Sequence, residues 1–183
     1  SSDEPTKREA REKLGIPINN IVLMRHGGFD TWNLPFASKA ISDSLNFRKD
    51  ISYIFLNTPK FIDHENVRFF EGTDKQSIVN TLISAADAMI HARWEGETFG
   101  LACSEFLIRK KPIITWAGSR ERNQILMSDN SVITYNEYID LLQLLKHITK
   151  DYLEAKANLI PLRQLQIFYG QESIKKILTN ILN

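Results

Sequence analysis

Ile51–Leu56 reads ISYIFL, an apolar and β-branched run that is closed by the turn sequence Asn57-Thr58-Pro59. A short apolar run bounded by turn residues predicts a buried β-strand. Further runs of this kind recur along the chain, at residues 20–24, 67–70, 88–92, 112–116 and 132–135. The sequence therefore predicts a sheet of about six strands.

Segments of helical length separate these strands. Apolar residues recur at helical spacing in residues 35–47, 75–85 and 99–109, a short helix is predicted over 122–127, and the pattern is helical from 136 onwards, with interruptions near Pro161 and Gly170. Apolar strands that alternate with helices predict a parallel sheet covered on both faces, which is a Rossmann-like α/β domain. Ligands of such domains bind beyond the carboxyl ends of the strands, so we expect the site in three loops: 25–31, 93–100 and 117–124.

The composition excludes several classes of protein. The 183 residues include 23 Lys or Arg and 22 Asp or Glu, and this net charge of +1 argues against a nucleic-acid-binding protein, which needs a basic surface. The single cysteine, Cys103, excludes a disulfide framework and multi-cysteine metal sites, and its apolar helical neighbours predict a buried structural thiol. No apolar run approaches the ~20 residues of a transmembrane helix. We expect one domain, residues 1–183, in the reducing cytoplasm.

The two ends of the chain carry separate expectations. Residues 1–13 are polar and charged, and they predict a linker with a short exposed helix in which Glu9 and Lys13 are spaced i,i+4. Residues 159–183 predict C-terminal helices. Because the first residue is Ser1 rather than methionine, we expect a piece of a longer chain.

The densest group of functional residue types lies in residues 93–105, which read RWEGETFGLACSE. If a helix begins near Thr98 or Phe99, a phosphate over residues 98–101 would meet the free amides of its first turn and the positive end of its dipole. Gly100 would let the phosphate approach the backbone closely. The alternative is that Glu97 and Thr98 only cap this helix, with Glu105 on a solvated face.

A second group, Arg25-His26-Gly27-Gly28, directly follows the first predicted strand. Paired glycines permit close backbone approach, and an arginine there can bind a diphosphate through two parallel hydrogen bonds. The alternative is a simple turn, because the run matches neither a dinucleotide-binding fingerprint nor a P-loop. No histidine pair has metal-ligand spacing, so no metal site is predicted. A buried, hydrogen-bonded structural residue is the favoured interpretation of His91.

Five stretches, taken in chain order, resemble the C-terminal, donor-binding domain of GT-B glycosyltransferases, of the retaining group-1 or family-4 type. They are KLGIP with IVL (13–23), Arg25 with Gly27-Gly28, AADAM (85–89), ETFGL through Glu105, and KKPIIT with Gly118 (110–118). The fourth stretch matches the Glu-x7-Glu motif of the family, and the fifth resembles its lysine–proline strand. These two carry most of the resemblance.

The resemblance implies a transferase that uses a nucleotide-diphosphate sugar as its donor substrate, with no metal ion and no other cofactor. It implies that Glu97 meets hydroxyls of the transferred sugar, that Glu105 binds the ribose, and that Arg25 holds the diphosphate. The nucleobase would rest near residues 72–75. The expected catalytic residues are therefore Glu97 and Arg25, and the expected donor-binding residues are Gly27, Gly28, Gly72, Asp74, Thr98, Phe99, Gly100, Leu101 and Glu105.

The resemblance also implies a partner domain. GT-B enzymes have two Rossmann-like halves, and this chain is long enough for one, so the acceptor would be held by an N-terminal domain outside it. The amphipathic stretch at 171–182 would either cross back to that domain or pack on its own.

One departure from the family pattern bears on function. The family lysine that follows the loop arginine is absent, since residues 29–33 contain none. Either Arg93 or Arg120 supplies the second positive charge, or diphosphate binding is weaker. A non-catalytic nucleotide-binding or interaction domain of the same fold is therefore the main alternative. An epimerase-like enzyme would lack the Glu-x7-Glu block, and a flavodoxin-like regulatory domain would have no reason to carry it.

Overall fold

A parallel six-stranded sheet forms the centre of the protein, described here by a computed structural model over residues 4–169. Its strands are β1 (Ile21–Arg25), β2 (Ile51–Leu56), β3 (Val67–Phe70), β4 (Ala88–His91), β6 (Ile113–Trp116) and β8 (Ile133–Tyr135). Their order across the sheet is β3-β2-β1-β4-β6-β8, and a separate parallel pair joins β5 (Gly96–Glu97) to β7 (Glu121–Arg122). The predicted Rossmann-like sheet of six strands is confirmed.

Helices cover both faces of this sheet. They are α1 (Lys7–Leu14), α2 (Pro35–Ser44), α3 (Gln76–Ala85), α4 (Leu101–Leu107), α5 (Asn123–Leu126), α6 (Tyr138–His147), α7 (Lys150–Ala157) and α8 (Leu162–Tyr169). Because successive strand residues point to opposite faces, Leu23 packs in the core shared with α2 and α6, whereas Met24 packs in the core shared with α3 and α4. Cys103 is fully buried in the second core, which confirms the predicted structural thiol.

Helix α1 confirms the expected short helix, and most of its residues are exposed, but Arg11 anchors it on the sheet and Glu9 does not pair with Lys13 four residues on. Glu9 instead closes a capping box with Thr6, accepting a hydrogen bond from its amide at 2.8 Å. Arg11 is 1% exposed, and its guanidinium donates to the Ala85 carbonyl at 2.9 Å and to the Asp87 carboxylate at 2.7 Å. A charged residue turns inward here because the amino-terminal edge of the sheet offers it oxygen acceptors.

The strand order reverses between β1 and β4, which pair through Met24 and Met89. Chain leaving β1 passes to β2 on one side, and chain leaving β4 passes to β6 on the other. The loops after β1 and β4 therefore diverge and leave a crevice between them at the carboxyl edge. The predicted amphipathic stretch 171–182 lies outside the described residues.

Candidate functional site

The loops that follow β1, β4 and β6 meet at the carboxyl edge of the sheet. Asn33, after β1, accepts a hydrogen bond from the Trp94 amide at 2.7 Å and donates to the Glu95 carboxylate at 3.1 Å. Ser119, after β6, donates to the Arg93 carbonyl at 3.2 Å. The structure confirms that these loops share one edge. No sequence signal pointed to Asn33 or to the β5–β7 pair, because both depend on contacts between distant loops.

A cleft of about 440 Å³ opens between the first two of these loops. Seven residues predicted from the sequence line it: Gly27, Gly28, Glu97, Thr98, Phe99, Gly100 and Leu101. Thr31, Arg93 and Ala102 complete the lining. The structure therefore brings most of the predicted site together in one place.

Glu97 presents an ionised carboxylate to this cleft, with 19% of its side chain exposed. Its Oε1 accepts a hydrogen bond from His91 Nε2 at 3.1 Å, and its Oε2 accepts one from Arg93 at 3.3 Å. Burial raises the pKa of Glu97, but the hydrogen bond and the electrostatic attraction of His91, followed by the positive charge of Arg93, outweigh burial, so this pKa lies below its usual value. The carboxylate can therefore accept hydrogen bonds from a ligand at neutral pH.

His91 connects Glu97 to the sheet. It is 5% exposed, and its Nδ1 lies 2.8 Å from the hydroxyl of Thr115, which is its register partner on β6. The prediction of a buried, hydrogen-bonded histidine is confirmed. What the sequence interpretation missed is that one of its two partners is Glu97, although parallel pairing of the predicted strands could have placed His91 beside Thr115.

The helix after Glu97 begins later than expected, at Leu101 rather than near Thr98 or Phe99. Its N-cap is Gly100 with φ +69°, and no side chain caps it, so the alternative of Glu97 and Thr98 as caps is also wrong. A Cβ on Gly100 would come within 2.8 Å of the Met127 Cε. Glycine is favoured here by the left-handed backbone, whereas the methyl group of Met127, at the end of a flexible side chain, could shift. Residues 97–99 are thereby left as extended backbone and loop along the cleft.

Arg25 lies beneath the glycine loop and not in the cleft lining. It is 3% exposed, and its guanidinium donates to the carbonyls of Asn57 at 2.6 Å and of Gly28, and to the hydroxyl of Thr31 at 2.7 Å. Burial lowers the pKa of Arg25 to about 10. Its donors are directed at the loop, so this geometry gives Arg25 the task of holding Gly28 and Thr31 in place.

Glu105 faces the loop after β1 from one turn further along α4. Its carboxylate lies 3.3 Å from His26 Nε2, and the two side chains are 31% and 22% exposed. Within residues 4–169, the buried Nδ1 of His26 has no hydrogen-bond partner. The two glutamates of the motif therefore have separate partners, His91 for Glu97 and His26 for Glu105.

A second depression, of about 260 Å³, lies beyond β2 and β3. It is lined by Gly72 together with Phe29, Asn57, Thr58, Phe69, Phe70 and Glu71. Gly72 is fitted against Asn57, whose Oδ1 would lie 2.7 Å from a Cβ at that position. Asp74, predicted beside Gly72, is exposed and lies outside this lining. Arg25 contacts Asn57 and Gly28, so it braces the edges of both depressions.

Of the two candidate cations, Arg93 lines the cleft and Arg120 is exposed outside it. Across residues 4–169, no three side chains among His, Cys, Asp and Glu come together in a way that could hold a metal ion. The same part of the chain contains no helix whose length and apolar character would let it cross a membrane.

No family model matches this sequence, and no curated protein matches it in sequence. Several solved structures match in fold. WaaG, a glycosyltransferase involved in lipopolysaccharide biosynthesis, is 21% identical with a TM-score of 0.64, over 91% of this chain and 52% of its own. HepE of Anabaena, solved with UDP and glucose, is 15% identical with a TM-score of 0.72, over 96% and 51%. Sucrose-phosphate synthase of Thermosynechococcus elongatus is 11% identical with a TM-score of 0.67, over 98% and 50%.

The chain spans about half the length of each of these proteins. Sequence identities this low support a conclusion about the fold but none about the activity. The chain has the Rossmann-like α/β fold that makes up one half of a GT-B glycosyltransferase.

Proposed function

We propose that this chain is the C-terminal, donor-binding domain of a retaining, metal-independent glycosyltransferase of the group-1 or family-4 type. The observation that carries the proposal is the ionised Glu97 carboxylate, which lines a cleft opposite the glycine loop where the strand order reverses. Neighbours of the same fold support it, among them HepE, which was solved with UDP-glucose.

The cleft would hold the sugar and the diphosphate of the donor. Glu97 would accept hydrogen bonds from hydroxyls of the sugar, because an ionised carboxylate is an acceptor-only group. The diphosphate would lie against Gly27 and Gly28 and the amides of residues 99–101, with Arg93 neutralising part of its charge. Arg93 is 30% exposed and lines the cleft, so it would take the place of the absent family lysine.

The nucleoside would extend away from this cleft. Glu105, 31% exposed beside His26, would accept hydrogen bonds from the ribose hydroxyls. The base would occupy the depression at Gly72, against the exposed ring of Phe29. An aromatic face and an open backbone suit a planar base. Asp74 would lie at the exterior of this region.

The acceptor would be supplied by a second domain. This chain matches about half the length of its structural neighbours, and its cleft is bounded by Arg93 and the glycine loop with no further element closing it among residues 4–169. Transfer to an acceptor would then require that domain, while donor binding would not. A cytoplasmic location stays a prediction.

Calorimetric titration of the chain with UDP, UDP-glucose and GDP-mannose tests the proposal. We expect weak binding of a sugar nucleotide at millimolar concentration, stronger than that of the nucleotide alone. Glu97→Gln should remove this difference and leave nucleotide binding in place. Glu121→Gln, a change of the same kind at an exposed position of β7, is the matched control. Absence of binding by the folded chain at millimolar concentration of all three would refute the proposal.

A non-catalytic nucleotide-binding domain of the same fold is the second candidate. The observation that favours it is the burial of Arg25 together with the lack of lysine in residues 29–33, which leaves Arg93 as the cation of the cleft lining. This candidate predicts that UDP and UDP-glucose bind equally well and that Glu97→Gln changes neither affinity.

A further inference from the structure

The Glu97 carboxylate is one end of a chain of hydrogen bonds that runs into the sheet. Thr115 Oγ1 lies 2.8 Å from His91 Nδ1, and His91 Nε2 lies 3.1 Å from Glu97 Oε1. Thr115 is fully buried and His91 is 5% exposed. Both inner members are fixed by adjacent parallel strands, since His91 and Thr115 are register partners. These two hydrogen bonds therefore give Glu97 a rigid contact with the core.

The second contact of Glu97, with Arg93, restrains the carboxylate less. Arg93 reaches Oε2 at 3.3 Å, is 30% exposed, and also lies 3.6 Å from the carboxylate of Glu95. A long side chain shared between two carboxylates at a surface holds neither in one orientation. The orientation of Glu97 is therefore set from the His91 side.

The partners of the imidazole also decide what each ring nitrogen does. A carboxylate only accepts hydrogen bonds, so His91 Nε2 carries the proton that faces Glu97. Nδ1 faces the Thr115 hydroxyl at 2.8 Å, a group that can either donate or accept. Both ring nitrogens therefore have a fixed partner.

We propose that His91, held by Thr115 at Nδ1 and donating from Nε2, is the positioning residue that fixes the Glu97 carboxylate for the hydroxyls of the donor sugar. This inference rests on the proposed function and adds a residue to it. One lone-pair site of each carboxylate oxygen is taken by His91 or Arg93, which leaves acceptor sites on a side chain that is 19% exposed and lines the cleft. A ligand hydroxyl then meets an acceptor that is already oriented.

Two substitutions of His91 separate its two hydrogen bonds. The amide nitrogen of Gln occupies a position close to that of Nε2, so His91→Gln keeps a donor for Glu97 and loses the contact with Thr115. Asn matches Nδ1 instead, so His91→Asn keeps the Thr115 contact and loses the donor for Glu97. Losing a hydrogen bond to a charged group predicts about 10- to 100-fold weaker binding of UDP-glucose by His91→Asn. His91→Gln should stay within a fewfold of wild type, and both should bind UDP as wild type does.

Long-range ¹H–¹⁵N NMR of the imidazole gives a readout that needs no ligand. We expect a protonated Nε2 in the wild type and in Thr115→Ser, and an altered pattern in Thr115→Val, which lacks the hydroxyl. An unprotonated Nε2, or an unchanged pattern in Thr115→Val, would overturn the inference. So would equal losses of UDP-glucose binding in the Gln and Asn variants. If wild type itself bound UDP and UDP-glucose equally, the proposed function would fail together with this inference; the other outcomes leave the proposed function standing.

Discussion

Arg11 and Asp87 form a 2.7 Å ion pair at the edge of the sheet opposite the cleft. Asp87 Oδ2 also accepts a hydrogen bond from the Val22 amide at 2.8 Å, and its Oδ1 accepts one from Lys7 at 2.8 Å. One carboxylate thus ties α1, the start of β1 and the start of β4 together. The Ala-Asp dipeptide that supported the family resemblance is therefore a structural joint far from the candidate site.

Replacing Asp87 by Asn should destabilise the protein strongly. The guanidinium of Arg11 is 1% exposed, and removal of its partner leaves a buried positive charge, which costs about 3–5 kcal/mol. Glu12→Gln is the matched control, because Glu12 pairs with Arg8 where both side chains are exposed; we expect less than about 1 kcal/mol there. Urea unfolding at pH 7 measures both. Equal decreases in the free energy of unfolding would show that the buried ion pair contributes no more to stability than the exposed one.

The same carboxylate predicts a dependence of stability on acid. Burial raises the pKa of Asp87, but its hydrogen bond and ion pair with Lys7, and the charge of Arg11, lower it overall. The unfolded chain therefore binds the proton first as the pH falls. The stability contributed by Asp87 is complete above its unfolded pKa of about 3.9 and is lost as the pH falls through the lower folded value. The free energy of unfolding should fall less steeply below pH 4 in Asp87→Asn than in wild type.

The buried Lys111 leads to a prediction for the free energy of unfolding at alkaline pH. Its ammonium is buried against the carbonyls of Ser84 and Ala86, and burial, followed by the charge of Lys7, lowers its pKa to about 7. Between this value and the unfolded pKa of about 10.4, the unfolded chain binds more protons, so stability rises with pH by up to about 1.4 kcal/mol per pH unit. Lys111→Met should flatten this rise in urea unfolding between pH 7 and pH 10. Lys13→Met, at an exposed position of α1, should preserve it.

The sheet could be predicted from sequence because its signal is local. The runs at β1, β2 and β4 are buried along their whole length, so the residues of ISYIFL at β2 are apolar or small. The bounds of the six strands agree with prediction to within one residue. The sequence predicts too early a start for α4, because Thr98 and Phe99, which precede Gly100, do not break a helix strongly. What sets that start is the left-handed backbone of Gly100, a conformation that glycine permits but that the presence of a glycine does not by itself predict.

The sequence predicts where the candidate site lies better than it predicts which groups its side chains contact. The glycine loop and Glu97 converge as the parallel sheet requires, since carboxyl ends of parallel strands lie at one edge. The partners of individual side chains did not follow from residue type. An arginine that follows a strand can bind a phosphate ligand or the carbonyls of a loop equally well. In this structure Arg25 binds loop carbonyls.

Gly96→Ala should damage the site through the β5–β7 pair. Gly96 has φ +76°, and a Cβ there would lie 1.8 Å from the Glu121 carbonyl oxygen. Gly15 has a similar φ of +62° with nothing within 4 Å of its Cβ, so Gly15→Ala isolates the backbone term, about 1–2 kcal/mol. We expect Gly96→Ala to be destabilised by about 1–3 kcal/mol more and to lose UDP-glucose binding. Similar unfolding free energies and affinities in the two variants would contradict the close approach.

Arg25→Lys distinguishes a loop-holding arginine from a ligand-binding one. Lysine keeps the positive charge but cannot reproduce the forked contacts to Gly28, Asn57 and Thr31. If Arg25 holds the loop, the variant should lose about 2–3 kcal/mol in urea unfolding, and UDP and UDP-glucose should weaken together as the loop loosens. Arg120→Lys, exposed in the loop after β6, should change neither quantity. A variant of Arg25 with wild-type stability and weakened diphosphate binding would instead place its guanidinium on the ligand, because only a direct contact could then connect the side chain to affinity.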